Sequence, residues 1–405
     1  MAPLWQPADV TVPDLRGLQR RSALVAAGAG ILAVVGAIVE PGQFIESYLL
    51  AYMWCLGATL GCLALGMVHQ LSGGAWGVLI RRPIGAAARV LPVLTVLFVP
   101  IILGMRHLYP WTHADLVAAD PVLQHKQLYL NTPFFLIRAA IYFFTWNALS
   151  LALNRYALQQ DETGDPHIAR KMQMVSGGGL VAYGLTITFA SFDWLMSTDP
   201  HWFSTIYGML IMGGQGLMAM AFLIGVIVWL SRRPPLDRVV VPVHLHDLGN
   251  LMLAFVMLWA YFSFSQWLII WAGNLPEEIS WYLPRVQTSW RAIGLVLIVF
   301  HFSLPFVLLL SRVIKRHAEM LVRVAAAILV ARAIDLWWLI APEFHPAGVH
   351  VSWLDVVVPI ALGALWLACF SWQLRRRAIL PIHDPQFDEA LGRIIYRNEQ
   401  PRTAH

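Results

Sequence analysis

The chain has 405 residues, of which 58% are hydrophobic and only 13% charged, with a net charge of +5 and a mean hydropathy of +0.63. Soluble domains carry roughly 25% charge, so a soluble globular fold is excluded. Ten crossings of about 20 residues each use about half of the chain and leave only loops and two tails, with no room for a separate soluble catalytic domain.

About 21 polar residues ending at Arg20 and Arg21 precede the first apolar run. No small-residue cleavage pattern follows that run, so it reads as an uncleaved span. Apolar runs bounded by charge, Pro and Gly lie at 22–39, 47–68, 88–105, 132–154, 175–197, 204–230, 247–271, 289–311, 321–341 and 352–373. Each is long enough to cross as a helix. The expected fold is therefore an all-α polytopic membrane protein with tails at 1–21 and 374–405 around a membrane domain at 22–373. Cys55, Cys62 and Cys369 fall inside apolar stretches without CxxC or CxxCH spacing, so the chain is expected to carry no iron–sulfur cluster, covalent haem, disulfide framework or metal site. A non-covalent haem needs facing histidines, and only His301 lies well inside an apolar run.

Lysine and arginine sit mostly in the short loops between spans, which is a topology signal and not a nucleic-acid footprint. With loops assigned alternately to two sides, 22 of the 28 basic residues fall on one side, and only Arg106, Lys126 and Arg285 on the other. The positive-inside rule then places both termini in the cytoplasm. The external side carries Trp111, Trp202, Trp271, Trp281, Trp290 and Trp353 with several acids. The tryptophans suit an interfacial belt, and the acids suit either a solvated face or a docking surface.

Two segments four spans apart match. Span five ends with Asp193-Trp194-Leu195 through Pro200, and span nine with Asp335-Leu336-Trp337 through Pro342, with an aspartate seven residues before a proline in both. Arg138-Ala139-Ala140-Ile141 in span four parallels Arg291-Ala292-Ile293 in span eight. Phe44, Tyr48, Met53 and Gly57 align at a constant offset with Phe203, Tyr207, Met212 and Gly216. These matches predict two parallel-repeat four-helix bundles, spans two to five (about 44–197) and six to nine (about 203–341), flanked by spans one and ten.

A charge at mid-bilayer costs at least about 2.5–3.5 kcal/mol, so each intramembrane ion needs a partner or water. Arg138 and Asp193 lie at similar depths and are expected to pair; the second bundle offers Arg291, Arg332 and Asp335, and Asp355 adds an outer acid in span ten. Such pairs either fix helix register or line an outward-facing pocket where a carboxylate accepts a proton. On the cytoplasmic side His244, His246 and Asp247 open span seven, with His69 and Lys171 nearby in other spans, as a proton entry or as interfacial residues. Between the two ends, His301, Gln266, Ser263, Ser265, Gln215, Tyr183, Thr186 and Thr188 form a polar ladder that serves either a water-filled half-channel or interhelical hydrogen bonds.

The strings Tyr129-Leu130-Asn131-Thr132-Pro133-Phe134-Phe135-Leu136-Ile137-Arg138, Phe189-Ala190-Ser191-Phe192-Asp193-Trp194-Leu195-Met196-Ser197, His201-Trp202-Phe203-Ser204-Thr205-Ile206-Tyr207-Gly208 and His246-Asp247-Leu248-Gly249-Asn250-Leu251 resemble the second NrfD-like membrane subunit of bacterial alternative complex III. The resemblance implies a multi-pass subunit of the bacterial inner membrane in an assembly that oxidises quinol and passes electrons to cytochrome c. It implies partners: a homologous first NrfD-like membrane subunit, an iron–sulfur subunit, multi-haem cytochrome c subunits, surrounding lipids and in some cases a terminal oxidase. Haems c and iron–sulfur clusters belong to those partners, and in the family the first NrfD-like subunit is the better supported quinol site; the second is assigned a quinone or menaquinone pocket by homology and a proton pathway. A purely structural scaffold and a secondary transporter are the alternatives. Parallel repeats without clearly paired broken helices argue against the transporter.

Overall fold

The computed structural model describes residues 14–381 and Phe387. The first 13 residues and the rest of the C-terminal tail, including Arg393, Arg397 and Arg402, lie outside the described residues. Among the described residues, ten helices are long and apolar enough to cross a membrane: α1 (Arg16–Val39), α2 (Pro41–Ser72), α3 (Trp76–Leu103), α4 (Thr132–Thr163), α5 (Pro166–Thr198), α6 (Tyr207–Leu230), α7 (Pro242–Gly273), α8 (Trp290–Leu310), α9 (Ala318–Phe344) and α10 (Leu354–Leu374). No strand occurs among the described residues.

Several helices outrun their apolar runs because capping residues, not hydropathy, set their ends. The Asn131 side chain accepts the Phe134 N–H and Asp165 accepts that of His167, each with proline in the first turn. Gly164, at φ 65°, closes α4 in the left-handed region and turns the chain into α5. The third crossing differs most from the apolar pattern. It starts upstream of 88 and carries Arg81, Arg82 and Arg89 on a helix instead of in a loop. It is then broken into the pieces Leu91–Val96 and Val99–Leu103, each with a proline in its first turn whose missing N–H cannot continue the preceding ladder.

α2 and α6 are the most completely buried helices and pack on one another at the centre. A Cβ at Gly61 would collide with the Gln215 carbonyl, so glycine permits this approach. α2 also contacts α3, α5, α9 and α10, and α6 contacts α5, α7 and α9; α4 lies on α5 and α1 on α10. Arg375 Nη1 donates to Gln19 Oε1 at 2.5 Å, so the start of α1 and the end of α10 share one membrane face, the near face. Arg138, Asp193 and Asp335 all lie toward the opposite, far face, given the direction of their helices.

Candidate functional site

Between α4 and α5 the expected pair forms. Arg138 Nε and Nη2 donate to the two oxygens of Asp193, both at 2.8 Å, and Tyr142 adds its hydroxyl at 2.7 Å. Arg138 Nη1 caps the Tyr129 carbonyl at 2.8 Å, and its guanidinium lies 3.8 Å from the Tyr129 ring centroid. Asp193 is 0% exposed. Around it Phe98, Phe143, Trp146 and Trp194 stack or meet edge-on. The ion pair is neutralised, hydrogen-bonded and sealed by aromatic rings, which is the geometry in which a buried pair holds two helices in register.

The surroundings of Asp335 in α9 are arranged otherwise. The aligned arginine, Arg291, is exposed and makes no ion pair among the described residues. Asp335 is instead held by Arg332, one turn back on its own helix, and accepts from Trp259 Nε1 on α7 at 3.2 Å. The sequence match could not show this, because aligned positions need not carry aligned partners. Arg332 fits because Gly214 has no side chain: a Cβ there would press into the guanidinium.

Asp335 and Arg291 both line a cavity of about 750 Å³ between α7, α8, α9 and the segment 281–286. Its inner wall holds the buried Trp259, Gln266, Trp281 and Arg285, whereas its rim carries the exposed Tyr261, Phe264, Leu295 and Ile298. The opening follows from α8. Pro305 cannot donate to the His301 carbonyl, and residues Ile298–Ser303 adopt a π-helical turn, with Ser303 Oγ donating to the Ile298 carbonyl at 2.9 Å. α7 packs on the near-face half of α8 and on the short helix Arg312–Arg316, and its far-face half stands apart from residues Trp290–Leu297. The fully buried His301 sits on the π turn with its ring edge-on to Trp259, centroids 4.0 Å apart, and neither ring nitrogen has a protein partner.

Arg285 was assigned by its sequence position to an outer loop, yet it is 1% exposed. It donates to the carbonyls of Trp281 at 2.6 Å, Leu339 at 2.9 Å and Trp338 at 3.3 Å, and to Glu343 Oε1 at 2.8 Å. The legible signal was Pro342. Lacking an N–H, it leaves the Trp338 carbonyl, four residues earlier, in need of an outside donor. Burial pulls the Arg285 guanidinium below its ordinary value and the Glu343 carboxylate draws it back. Burial also pushes the Tyr282 hydroxyl, at the cavity wall, up to about 12, against the opposing influence of Gln266 and Arg285. Tyr282 is thus a neutral donor at any physiological pH.

The remaining candidates lie elsewhere. Asp355 accepts from Ser47 Oγ at 2.6 Å, Gln43 Nε2 at 3.2 Å and the Ser352 N–H at 3.1 Å, fastening α10 to α2. His244, His246 and Asp247 are at the near-face end of α7, where Lys315 Nζ reaches Asn250 Oδ1 at 2.6 Å. Much of the polar ladder closes helices together: Tyr183 donates to Gln215 at 2.7 Å and Trp146 to Thr186 at 2.8 Å, while Ser263 and Gln266 face the cavity. A scan of the chain against protein-family models finds no match, and a search of curated proteins also finds none.

Proposed function

We propose that the chain is an integral membrane subunit of a bacterial respiratory quinol:cytochrome c oxidoreductase, of the NrfD-like kind found in alternative complex III, and that the cavity walled by α7, α8 and α9 receives the quinol. The observation that carries this reading is the cavity. It is large, apolar and aromatic, has exposed rim residues on α7 and α8 for lateral entry from lipid, and holds one ion-paired carboxylate, Asp335, in its wall. Small-molecule sites commonly have about 300–1,000 Å³ with a few convergent polar groups. A quinol head fits such walls, with Tyr282, Gln266 and Arg291 as donors.

Quinol oxidation releases two protons and two electrons. The Asp335 carboxylate is the base for a head-group proton, with Arg332 and Trp259 orienting it. Glu343, eight residues or about 12 Å further along α9 and held by Arg285, is the next acid toward the far face. The electrons pass to haem and iron–sulfur partner subunits, beside a homologous first NrfD-like subunit and, in some assemblies, a terminal oxidase. In this reading the near face is cytoplasmic, so both termini lie inside, and bundles α2–α5 and α6–α9 are parallel repeats. The reciprocal packing of α2 on α9 and α6 on α5 supports the repeat.

A scaffold role is favoured for one half only. The closed, ring-covered Arg138 and Asp193 pair supports a structural duty for the first bundle.

The test is quinol-to-acceptor turnover and proton release by the assembled complex. Asp335→Asn is expected to lower turnover by about 100-fold, the range for loss of a positioned base. Asp193→Asn is expected to lower the amount of assembled complex instead. Unchanged quinol oxidation and proton translocation in Asp335→Asn would defeat the site.

A further inference from the structure

At the near face, far from the quinol cavity, arginines converge on two small cavities in a way that topology alone does not require. Arg81, Arg82 and Arg89 of α3 and Arg377, just beyond α10, line a cavity of about 20 Å³ with Gly85 and Asn154. A second cavity, of about 60 Å³, shares Arg81, Gly85 and Asn154 as walls. A water-sized group needs about 10–15 Å³ in this measure, so the cavity lined by all four arginines admits one oxygen of an oxyanion and no acyl chain.

Among the described residues, Arg82, Arg89 and Arg377 make one ion pair between them, that of Arg82 with Asp161. Arg82 donates to Asp161 Oδ1 at 2.6 Å, but its Nε is buried with no partner. Arg89 is bonded among the described residues only to neutral oxygens: Asn154 Oδ1 at 2.7 Å, Gln373 Oε1 at 3.0 Å and the Gln373 carbonyl at 2.9 Å. Arg377 likewise reaches only the Asn154 carbonyl, at 2.9 Å. A basic residue that merely sets topology needs a charge in solvent or among head groups. Here Arg82 is buried, Arg81, Arg89 and Arg377 are half-buried, and all four line one cavity. Burial and the neighbouring Arg82 pull the Arg377 guanidinium below its ordinary value, with Asp161 opposing, which is the sign expected where like charges lack a sufficient counterion.

We propose that the Arg82, Arg89 and Arg377 cluster is a binding site for a phosphate oxyanion at the near membrane face. Guanidinium forks match phosphate oxygens in pairs, and a dianion or phosphodiester would add negative charge to that of Asp161. The phosphate can come from an anionic phospholipid head group or from free phosphate, which share this chemistry. The site does not depend on the quinol reading, and its test does not use turnover.

The experiment is thermal unfolding of the full-length chain in micelles. The probes are phosphatidylglycerol, phosphatidylcholine as the zwitterionic comparator, and inorganic phosphate against chloride at matched ionic strength. A ligand that binds only the folded state raises the midpoint, and about 2–4 °C is expected per tenfold or so of binding. Phosphatidylglycerol should give that shift and phosphatidylcholine should not. Arg377→Gln and, separately, Arg89→Gln should remove at least half of it, while Arg232→Gln, at an exposed residue, should keep it. Because Arg377 lies beyond the last span, its variant removes no side chain from a helix and costs only the hydrogen bond to the Asn154 carbonyl. If inorganic phosphate alone gives the full arginine-dependent shift, the site stands and its ligand is the free ion. If no probe gives a shift, or the shift persists undiminished in both variants, the proposal is overturned.

Discussion

Asp193 of α5 and Asp335 of α9 have opposite surroundings, and single residues set the difference. Asp193 receives three donors and lies beneath aromatic rings. Asp335 receives Arg332 and Trp259 and borders open space. The seat of Arg332 depends on Gly214, because any Cβ at that position meets the guanidinium. Gly214→Ala is therefore expected to push Arg332 off Asp335, and breaking a buried pair costs about 3–5 kcal/mol. Gly225 is on the same helix with nothing within 4 Å of its Cβ position, so Gly225→Ala should stay within about 0.5 kcal/mol of the parent. Thermal unfolding of the two variants side by side checks the contrast, and equal midpoints would remove Gly214 from the account.

At the scale of elements, interruptions of helices are what shape the site. The π turn and Pro305 direct the far half of α8 away from α7, and Pro342 frees a carbonyl that draws Arg285 inward. The link between α9 and α10 is fastened to α2 by polar contacts: His345 Nε2 lies 3.0 Å from Glu46 Oε2, beside His350, and Asp355 holds Ser47. Burial, followed by the His350 ring, lowers the His345 imidazole below its ordinary value, with Asp355 opposing. The unfolded chain therefore takes up a proton as pH falls through about 6.5, where the folded chain does not yet do so. This part of the stability is present above pH 6.5 and is lost as the medium is acidified below it. The unfolding midpoint of His345→Asn should fall less steeply between pH 7 and 5.5 than that of the parent. A parallel fall in both would show that His345 does not contribute.

At the scale of the whole molecule, the central α2 and α6 pair separates a closed half from an open one. Within a membrane this asymmetry has a direct cost structure: helices gain little from hiding apolar groups from lipid, so a gap between α7 and α8 is tolerated where a gap in a soluble core is not. Gly294 lies on the α8 wall of the gap, 3.6 Å by its Cβ position from Trp338 Nε1. Gly294→Phe is expected to fill part of the cavity and raise the KM for quinol about tenfold, equal to about 1.4 kcal/mol, with the fold intact. Quenching of the lining tryptophans by a quinone analogue should weaken in parallel. A folded variant with unaltered KM and quenching would place the quinol elsewhere.

The ten crossings followed from hydropathy and length alone, because lipid forces every span to be a long apolar helix. The need for a partner for Arg138, and the choice of Asp193, were also legible, since an unpaired ion at that depth is too costly to persist. What the sequence could not assign was which arginine meets Asp335. Arg332 wins over Arg291 through a local contact three residues along one helix and a glycine on another. Nor could it place Arg285 inside, or show that α7 and α8 part to leave a cavity. Those outcomes depend on crossing angles, a π turn and proline-freed carbonyls, which arise only when helices distant in the chain are packed together.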